Sequence, residues 1–251
     1  MGMGRDMPEP VTDLQYASVV DRTEELARLR AQARRRKSML VFGPEGVGKT
    51  RLLSKFLEAE PFAIYVKQVE SPRALLLSLL EGLRNSNQRG LRIPQNIDSF
   101  STPSLKGIAQ RTLDLQPFLL VLDHLAGPSR VSTGIIKELN YYDRTPVLFA
   151  ARSPHMEDIG TLQPMCADRS ERVDLKNFPP AIALEFAHRQ ARDVGLSASN
   201  LDEAIRSIAD CSHGNPGSIL RMVQMAQLPK YRMGTQVKVH VLYLDHLMGR
   251  R

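Results

Sequence analysis

The chain has no tryptophan, and aromatic residues make up only 6% of its 251 positions. Surfaces that hold single-stranded nucleic acid stack bases on aromatic rings set among basic residues. The six tyrosines here do not interleave with lysine and arginine in that way, which argues against a base-stacking platform. Cysteine is equally scarce. Cys166 and Cys211 are far apart and lack ligand spacing, so a disulfide scaffold or zinc site is not expected and a reducing cytosol fits best. No apolar run approaches the length of a membrane span. The opening MGMGRDMPEP has no apolar leader core, and Asp6 stands where myristoylation needs Ser or Thr. A cytoplasmic protein without a membrane partner is the expectation.

What is present is enough for a globular core: 42% of residues are hydrophobic. The length allows one large domain, or a medium one with a small companion. Internal repeats and low-complexity segments are absent. Thirty-four Lys and Arg against 27 Asp and Glu give a net charge of +7, which permits contact with DNA without showing it. The densest basic run, Arg34 to Lys37, closes a predicted helix, where the dipole favours cations.

Residues 1–17 read as a loose N-terminus. Apolar strands then alternate with helical stretches through residue 176, the pattern of a parallel α/β sheet. The expected helices cover 21–35 (capped by Thr23 or Asp21), 50–60, 71–84 (capped by Ser71, with Pro72 first), 101–114 and 129–143. The expected strands are 38–42, 61–69, 117–123, 145–153 and 172–175. The segment NFPP at 177–180 reads as a hinge. Only helices follow it, over 179–194, 199–211 and 216–228, so 177–230 reads as a small helical domain. In the tail, 231–251, alternation through Gln236–Val241 suggests a short strand and then a helical turn or two.

The chemistry sits in VFGPEGVGKTRLL, residues 41–53. Gly43, Gly48, Lys49 and Thr50 satisfy the phosphate-loop pattern G-x-x-x-x-G-K-[ST] at every fixed position, between a strand and a helix. The phosphate-binding stretch is therefore Gly43, Pro44, Glu45, Gly46, Val47, Gly48, Lys49, Thr50 and Arg51. Such a loop turns backbone N–H groups inward as an anion nest, and the following helix adds its positive end. Lys49 is expected on the β- and γ-phosphates of ATP or ADP, and the Thr50 hydroxyl on Mg²⁺. Asp123 ends a buried apolar strand, where a second Mg²⁺ ligand is needed.

His124 follows, where many ATPases place a glutamate that polarises water. Histidine can serve as that base or simply cap the strand, so a weak or absent hydrolase is expected as readily as an active one. One strand later, Arg152 or Ser153 falls beside Asp123; Arg152 suits a γ-phosphate better. Arg169 and Arg172 precede the last core strand as candidates to reach a neighbouring subunit's nucleotide. In CSHGNPGSILRM, Asn215-Pro216 starts a helix whose N-terminus is a candidate to face the nucleotide.

In this order (VVDRTEELARL, GPEGVGKT, FLLVLDH, LFAARS, HGNPGSIL) the sequence resembles the AAA+ and STAND group of P-loop ATPases over about residues 18–228. The resemblance implies a three-layer α/β core over 18–176 with a five-stranded parallel sheet in the order 5-1-4-3-2, followed by a helical lid. Val19, Val20 and Arg22 match the motif that lines the family's adenine pocket, with Asp21 in place of its usual glycine. Arg152 matches an arginine on the γ-phosphate, and Pro216 a lid proline near adenine. Gly217 stands where many such lids carry arginine. STAND proteins usually continue into a winged helix and sensor repeats, so any effector is expected on a separate polypeptide or as a homo-oligomer. Three functions follow: an ATP-dependent switch or assembly subunit, a DNA-associated ATPase of the transposition or replication-initiation kind, and a nucleotide-binding protein without turnover.

Overall fold

The computed structural model describes residues 22–249 apart from 68, 87, 89, 126 and 141–143. The expected loose N-terminus over 1–17, Val19, Val20 and Asp21 lie outside the described residues. Helix α1 spans Thr23–Arg34, β1 Met39–Phe42, α2 Lys49–Leu57, β2 Ala63–Val66, α3 Pro72–Asn85 and α4 Thr102–Leu113. Then come β3 Leu119–Leu125, α5 Arg130–Leu139, β4 Val147–Ala151, the single turn α6 Met156–Ile159 and β5 Arg172–Asp174. The five strands pair in the order β2-β3-β4-β1-β5, and every pairing is parallel. This is the expected 5-1-4-3-2 sheet.

Alternation along the strands explains why both faces are covered. Leu40, Ile64, Val66, Leu120, Leu122, Val147 and Phe149 pack toward α3, α4 and α5. Met39, Val41, Leu119, Val121, Leu148, Ala150 and Val173 point the other way, onto Leu29 of α1 and Leu52, Leu53 and Phe56 of α2. A strand buried on both faces must be apolar at consecutive positions, which is why β3 reads as an apolar run as far as Leu122 and β4 as an unbroken one.

The second body is helical. Helices α7 (Pro180–Asp193), α8 (Leu201–Cys211) and α9 (Pro216–Met225) are followed by a hairpin of β6 (Arg232–Met233) with β7 (Gln236–Val237), then α10 (Val239–Met248). Tyr231, Val237 and Leu242 share one buried cluster with Ala187, Ile205, Ile208, Ile219 and Met222.

Two local expectations need correction. The α1 N-cap is Arg22, which makes no side-chain capping bond, in place of Thr23 or Asp21. The alternation through Val241 is strand only at Gln236–Val237; Val239 already begins a ten-residue helix, because two-residue β6 gives a longer strand nothing to pair with. Among the described residues no helix is long and apolar enough to cross a membrane.

Candidate nucleotide site

The loop between β1 and α2 is held in a shape that glycine permits. Gly43, Gly46 and Gly48 all lie at positive φ, at 152°, 77° and 100°, where an L side chain is strained. Open space adjoins Gly48: beyond the glycine itself and its chain neighbours, no heavy atom among the described residues lies within 4 Å of where a side chain would start. The first-turn amides of α2 lack intrahelical acceptors, as at any helix start, and no side chain caps them. Lys49 Nζ donates to the carbonyls of Gly43 (2.7 Å) and Pro44 (3.0 Å). Burial holds the Lys49 pKa below the ordinary lysine value, opposed by the charges of Asp123 and Glu45; Arg152 adds a smaller lowering and Asp158 a smaller raising. Sequence-distant groups thus converge electrostatically on the loop lysine.

The order of the strands explains that convergence. Strand β4 lies between β1 and β3, so the C-terminal ends of all three share one edge of the sheet. Gly43 follows β1, Asp123 and His124 lie near the end of β3, and Arg152 follows β4. The Gly43 N–H donates to the Arg152 carbonyl at 3.3 Å.

Asp123 does not quite end its strand. Strand β3 runs on to Leu125, with a register shift against β4 between Leu122 and Leu125. Within that bulge His124 sits at φ 54°. Asp123 is 1% exposed, whereas the His124 side chain is 74% exposed. Asp123 Oδ1 accepts the His124 backbone N–H at 2.8 Å. Its Oδ2 lies 3.5 Å from His124 Nε2 and accepts at 3.5 Å from the Tyr65 hydroxyl.

Among the described residues no three His, Cys, Asp or Glu side chains gather into a metal cage. The site instead offers one buried carboxylate and the exposed Thr50 side chain. That set suits Mg²⁺, which keeps water and phosphate oxygens in its shell.

The remaining candidates are distributed unevenly. Arg22 is engaged by protein: it donates to the Lys176 carbonyl (2.6 Å) and the Val47 carbonyl (3.5 Å), pairs with Glu25 (2.9 Å), and stacks 4.9 Å over Phe178. Arg172 opens β5 opposite Leu40, and Phe42 pairs with Asp174. Arg172 therefore lies toward the sheet end away from its own phosphate loop, and its Nε donates to the Cys166 carbonyl at 2.7 Å. Arg169, exposed, precedes it in a short 3₁₀ turn. Arg51 is half-buried in the first turn of α2.

Pro216 occupies the first position of α9, and the helix start touches the loop directly. Gly217 N–H donates to the Gly46 carbonyl at 2.9 Å. The Asn215 amide donates to the Glu45 carbonyl at 2.9 Å, while its Oδ1 caps α9 by accepting Ser218 N–H at 3.0 Å.

Sequence reasoning missed Tyr65 and Asp158 beside the site, and took Asn215 only as part of a helix start facing the nucleotide, not as a contact of the loop. Tyr65 becomes visible through register, since it lies opposite Val121, two residues before Asp123. Burial, with a smaller contribution from Asp123, pushes its phenol pKa up to about 12.

No protein-family model matches the chain, and no curated protein matches it. Solved structures do. A Walker-type ATPase of Pyrococcus abyssi is 18% identical with a TM-score of 0.63, over 92% of this chain and 73% of that one. The Aeropyrum pernix Orc1 protein, solved in complex with DNA, is 16% identical with a TM-score of 0.65, over 91% and 65%. A Pyrococcus horikoshii STAND protein with a tetratricopeptide-repeat sensor is 15% identical with a TM-score of 0.50, over 92% and 32%. The chain thus spans just under two thirds of the Orc1 protein and about a third of the STAND protein. At these identities the likeness speaks for architecture, and with the sheet order and the strand–loop–helix geometry it establishes that the chain has the fold of the AAA+ P-loop ATPases.

Proposed function

We propose that the chain binds ATP and ADP with Mg²⁺ at the Gly43–Arg51 loop and acts as a slow, nucleotide-dependent switch or assembly subunit, working with a partner protein or with further copies of itself. The observation that carries this reading is the convergence of Lys49, buried Asp123 and Arg152 at one sheet edge beside the loop. Lys49 would exchange the Gly43 and Pro44 carbonyls for phosphate oxygens, a stronger charge-assisted pairing. Arg152 would take the γ-phosphate. Asp123 and Thr50 would hold Mg²⁺, which supplies neutralisation of charge on the β- and γ-oxygens. Val20, Arg22 and Pro216 would bound the adenine.

Turnover should be slow. His124 stands where a water-orienting carboxylate is common, and its ring leans on the Asp123 carboxylate. Arg169 and Arg172, placed away from their own loop, are suited to serve a neighbouring copy's nucleotide. Calorimetry with ADP and a slowly hydrolysed ATP analogue, with and without Mg²⁺, tests the site. Sizing in each nucleotide tests assembly. An absence of nucleotide binding would overturn the proposal.

The net charge of +7 and the likeness to a protein solved on DNA favour a second reading, a DNA-associated ATPase. Duplex binding that weakens steeply with salt and strengthens with nucleotide would select it.

A further inference from the structure

The lid meets the phosphate loop through backbone. At Gly46 an added side chain would start 2.6 Å from Asn215 Oδ1, and at Gly217 it would start 2.8 Å from the Gly46 α-carbon. A side chain at Gly217 would meet the backbone of Gly46 and part the two bodies, and one at Gly46 would displace the Asn215 amide. The first turn of α9 carries no basic residue. The nearest on that helix, Arg221, has a guanidinium nitrogen 3.0 Å from the side-chain position of Gly249, so it faces the end of α10 and not the loop.

The bonded carbonyls are informative in themselves. The Glu45 carbonyl held by Asn215 belongs to the same peptide plane as the Gly46 N–H. The Gly46 carbonyl held by Gly217 shares its plane with the Val47 N–H. Fixing a carbonyl fixes the direction of the N–H on the other side of that rigid plane, and a bonded carbonyl polarises its own amide. A loop that wraps a β-phosphate must orient these same planes.

We infer that Asn215 and Gly217 are positioning residues through which the lid reads the conformation of the phosphate loop, and not the γ-phosphate, so that ADP and ATP draw the lid down equally. The inference rests on the loop being a nucleotide site and specifies how that site is regulated. Coupling of this kind is reciprocal: a latch strengthened by phosphate must also strengthen phosphate binding.

The hinge supports a lid that moves as one piece with this contact. Phe178 N–H donates to the Gly214 carbonyl at 2.8 Å, Asn177 Nδ2 donates to the His213 carbonyl at 3.1 Å, and Asn215 Nδ2 also reaches Asn177 Oδ1 at 3.2 Å. Hinge, latch and helix cap therefore share Asn215.

Asn215→Asp separates the cap from the latch and the hinge bond, both of which use Nδ2. Aspartate caps a helix as well as asparagine does, so α9 keeps its start, but the donor to the Glu45 carbonyl is gone. Gly217→Ala breaks the same contact differently: alanine is the better helix former, and its methyl group meets Gly46. Both variants should bind ADP and the slowly hydrolysed ATP analogue about tenfold more weakly, equally for the two, as expected for one lost hydrogen bond and its alignment. Hydrogen–deuterium exchange across residues 214–222 should show equal protection of the wild-type chain by ADP and by the ATP analogue, and none in either variant. Protection by the ATP analogue alone, or wild-type affinity in both variants, would overturn the latch while leaving the nucleotide site standing. No nucleotide binding by the wild-type chain would overturn both.

Discussion

The core and the lid approach the candidate nucleotide site with opposite chemistry. The core brings charged side chains: Lys49 on α2, Asp123 on β3 and Arg152 after β4, each at the C-terminal edge of the sheet. The lid brings backbone and one amide, through Gly217 and Asn215. The two cations attract phosphate from any direction and Asp123 acts through a metal ion, whereas backbone contacts require two surfaces to fit to within a few tenths of an ångström. The difference suggests a division of labour in which the core supplies affinity and the lid supplies the response. Each prediction below breaks one side of that division.

Lys49→Ala gives the largest expected effect. It removes the charge that would pair with two phosphates, and the weakening should be on the order of 10³-fold, from two charge-assisted bonds of roughly 2 kcal/mol each. The fold should persist, because the ammonium contacts only loop carbonyls. Calorimetry and thermal unfolding together check this, and unchanged affinity would remove the core's share of the comparison.

Asp123→Asn should lower Mg²⁺-supported nucleotide affinity on the order of 10²-fold while scarcely changing affinity in chelator, since the carboxylate acts through the metal. The neutral amide keeps an oxygen to accept the His124 N–H, so the bulge should survive. Equal losses with and without Mg²⁺ would mean that Asp123 serves the loop's electrostatics and not a cation.

These two residues were legible in the sequence because their positions follow from the backbone. A phosphate loop needs glycine at fixed places and a lysine at a fixed reach, and a buried parallel strand announces itself by an apolar run closed by one acid. The sheet order came with the family resemblance. The lid's contact was only half legible. Asn215-Pro216 marked a helix start, but Gly217 read as a missing arginine. Its purpose emerges only when Gly46 is seen 2.8 Å from where its side chain would begin. Tyr65 was invisible for a related reason: its meeting with Asp123 depends on the register of β2 against β3, which no local pattern encodes. The Val239–Val241 alternation misled because period-2 spacing describes a strand only where a partner strand exists.

His124→Glu restores the carboxylate common at this position, and turnover should rise about tenfold with no loss of ATP affinity, since a group that orients water acts in the transition state. The gain stays modest for two structural reasons. Position 124 lies at φ 54°, a region that histidine tolerates better than glutamate. The new carboxylate would also face Asp123, where like charges repel until Mg²⁺ is bound. Thermal stability should therefore fall in chelator and recover with Mg²⁺ and nucleotide. A wild-type rate in the ordinary ATPase range, lost in the variant, would show that the histidine itself is the working group.

The smallest effect is expected at Tyr65, which tests whether the core's acid is oriented by its neighbours. The hydroxyl lies 3.5 Å from Asp123 Oδ2, a long and weak bond, so Tyr65→Phe should weaken Mg²⁺-supported nucleotide binding by only about threefold. Its pH signature is more distinctive. The phenol pKa is pushed up to about 12, chiefly by burial and then by Asp123, from an ordinary value of 10.0. Between those values the unfolded chain has released a proton that the folded chain retains. Stability must therefore fall as pH rises through that window. Tyr65→Phe deletes this slope, so the stability difference between variant and wild type should shift in the variant's favour from pH 10 to 12. Burial and Asp245 also raise the Tyr231 phenol, so a difference absorbance titration should show one fewer late-ionising phenol in the variant than in the wild type. Parallel stability curves across that window would place Tyr65 in ordinary solvent and remove it from the site.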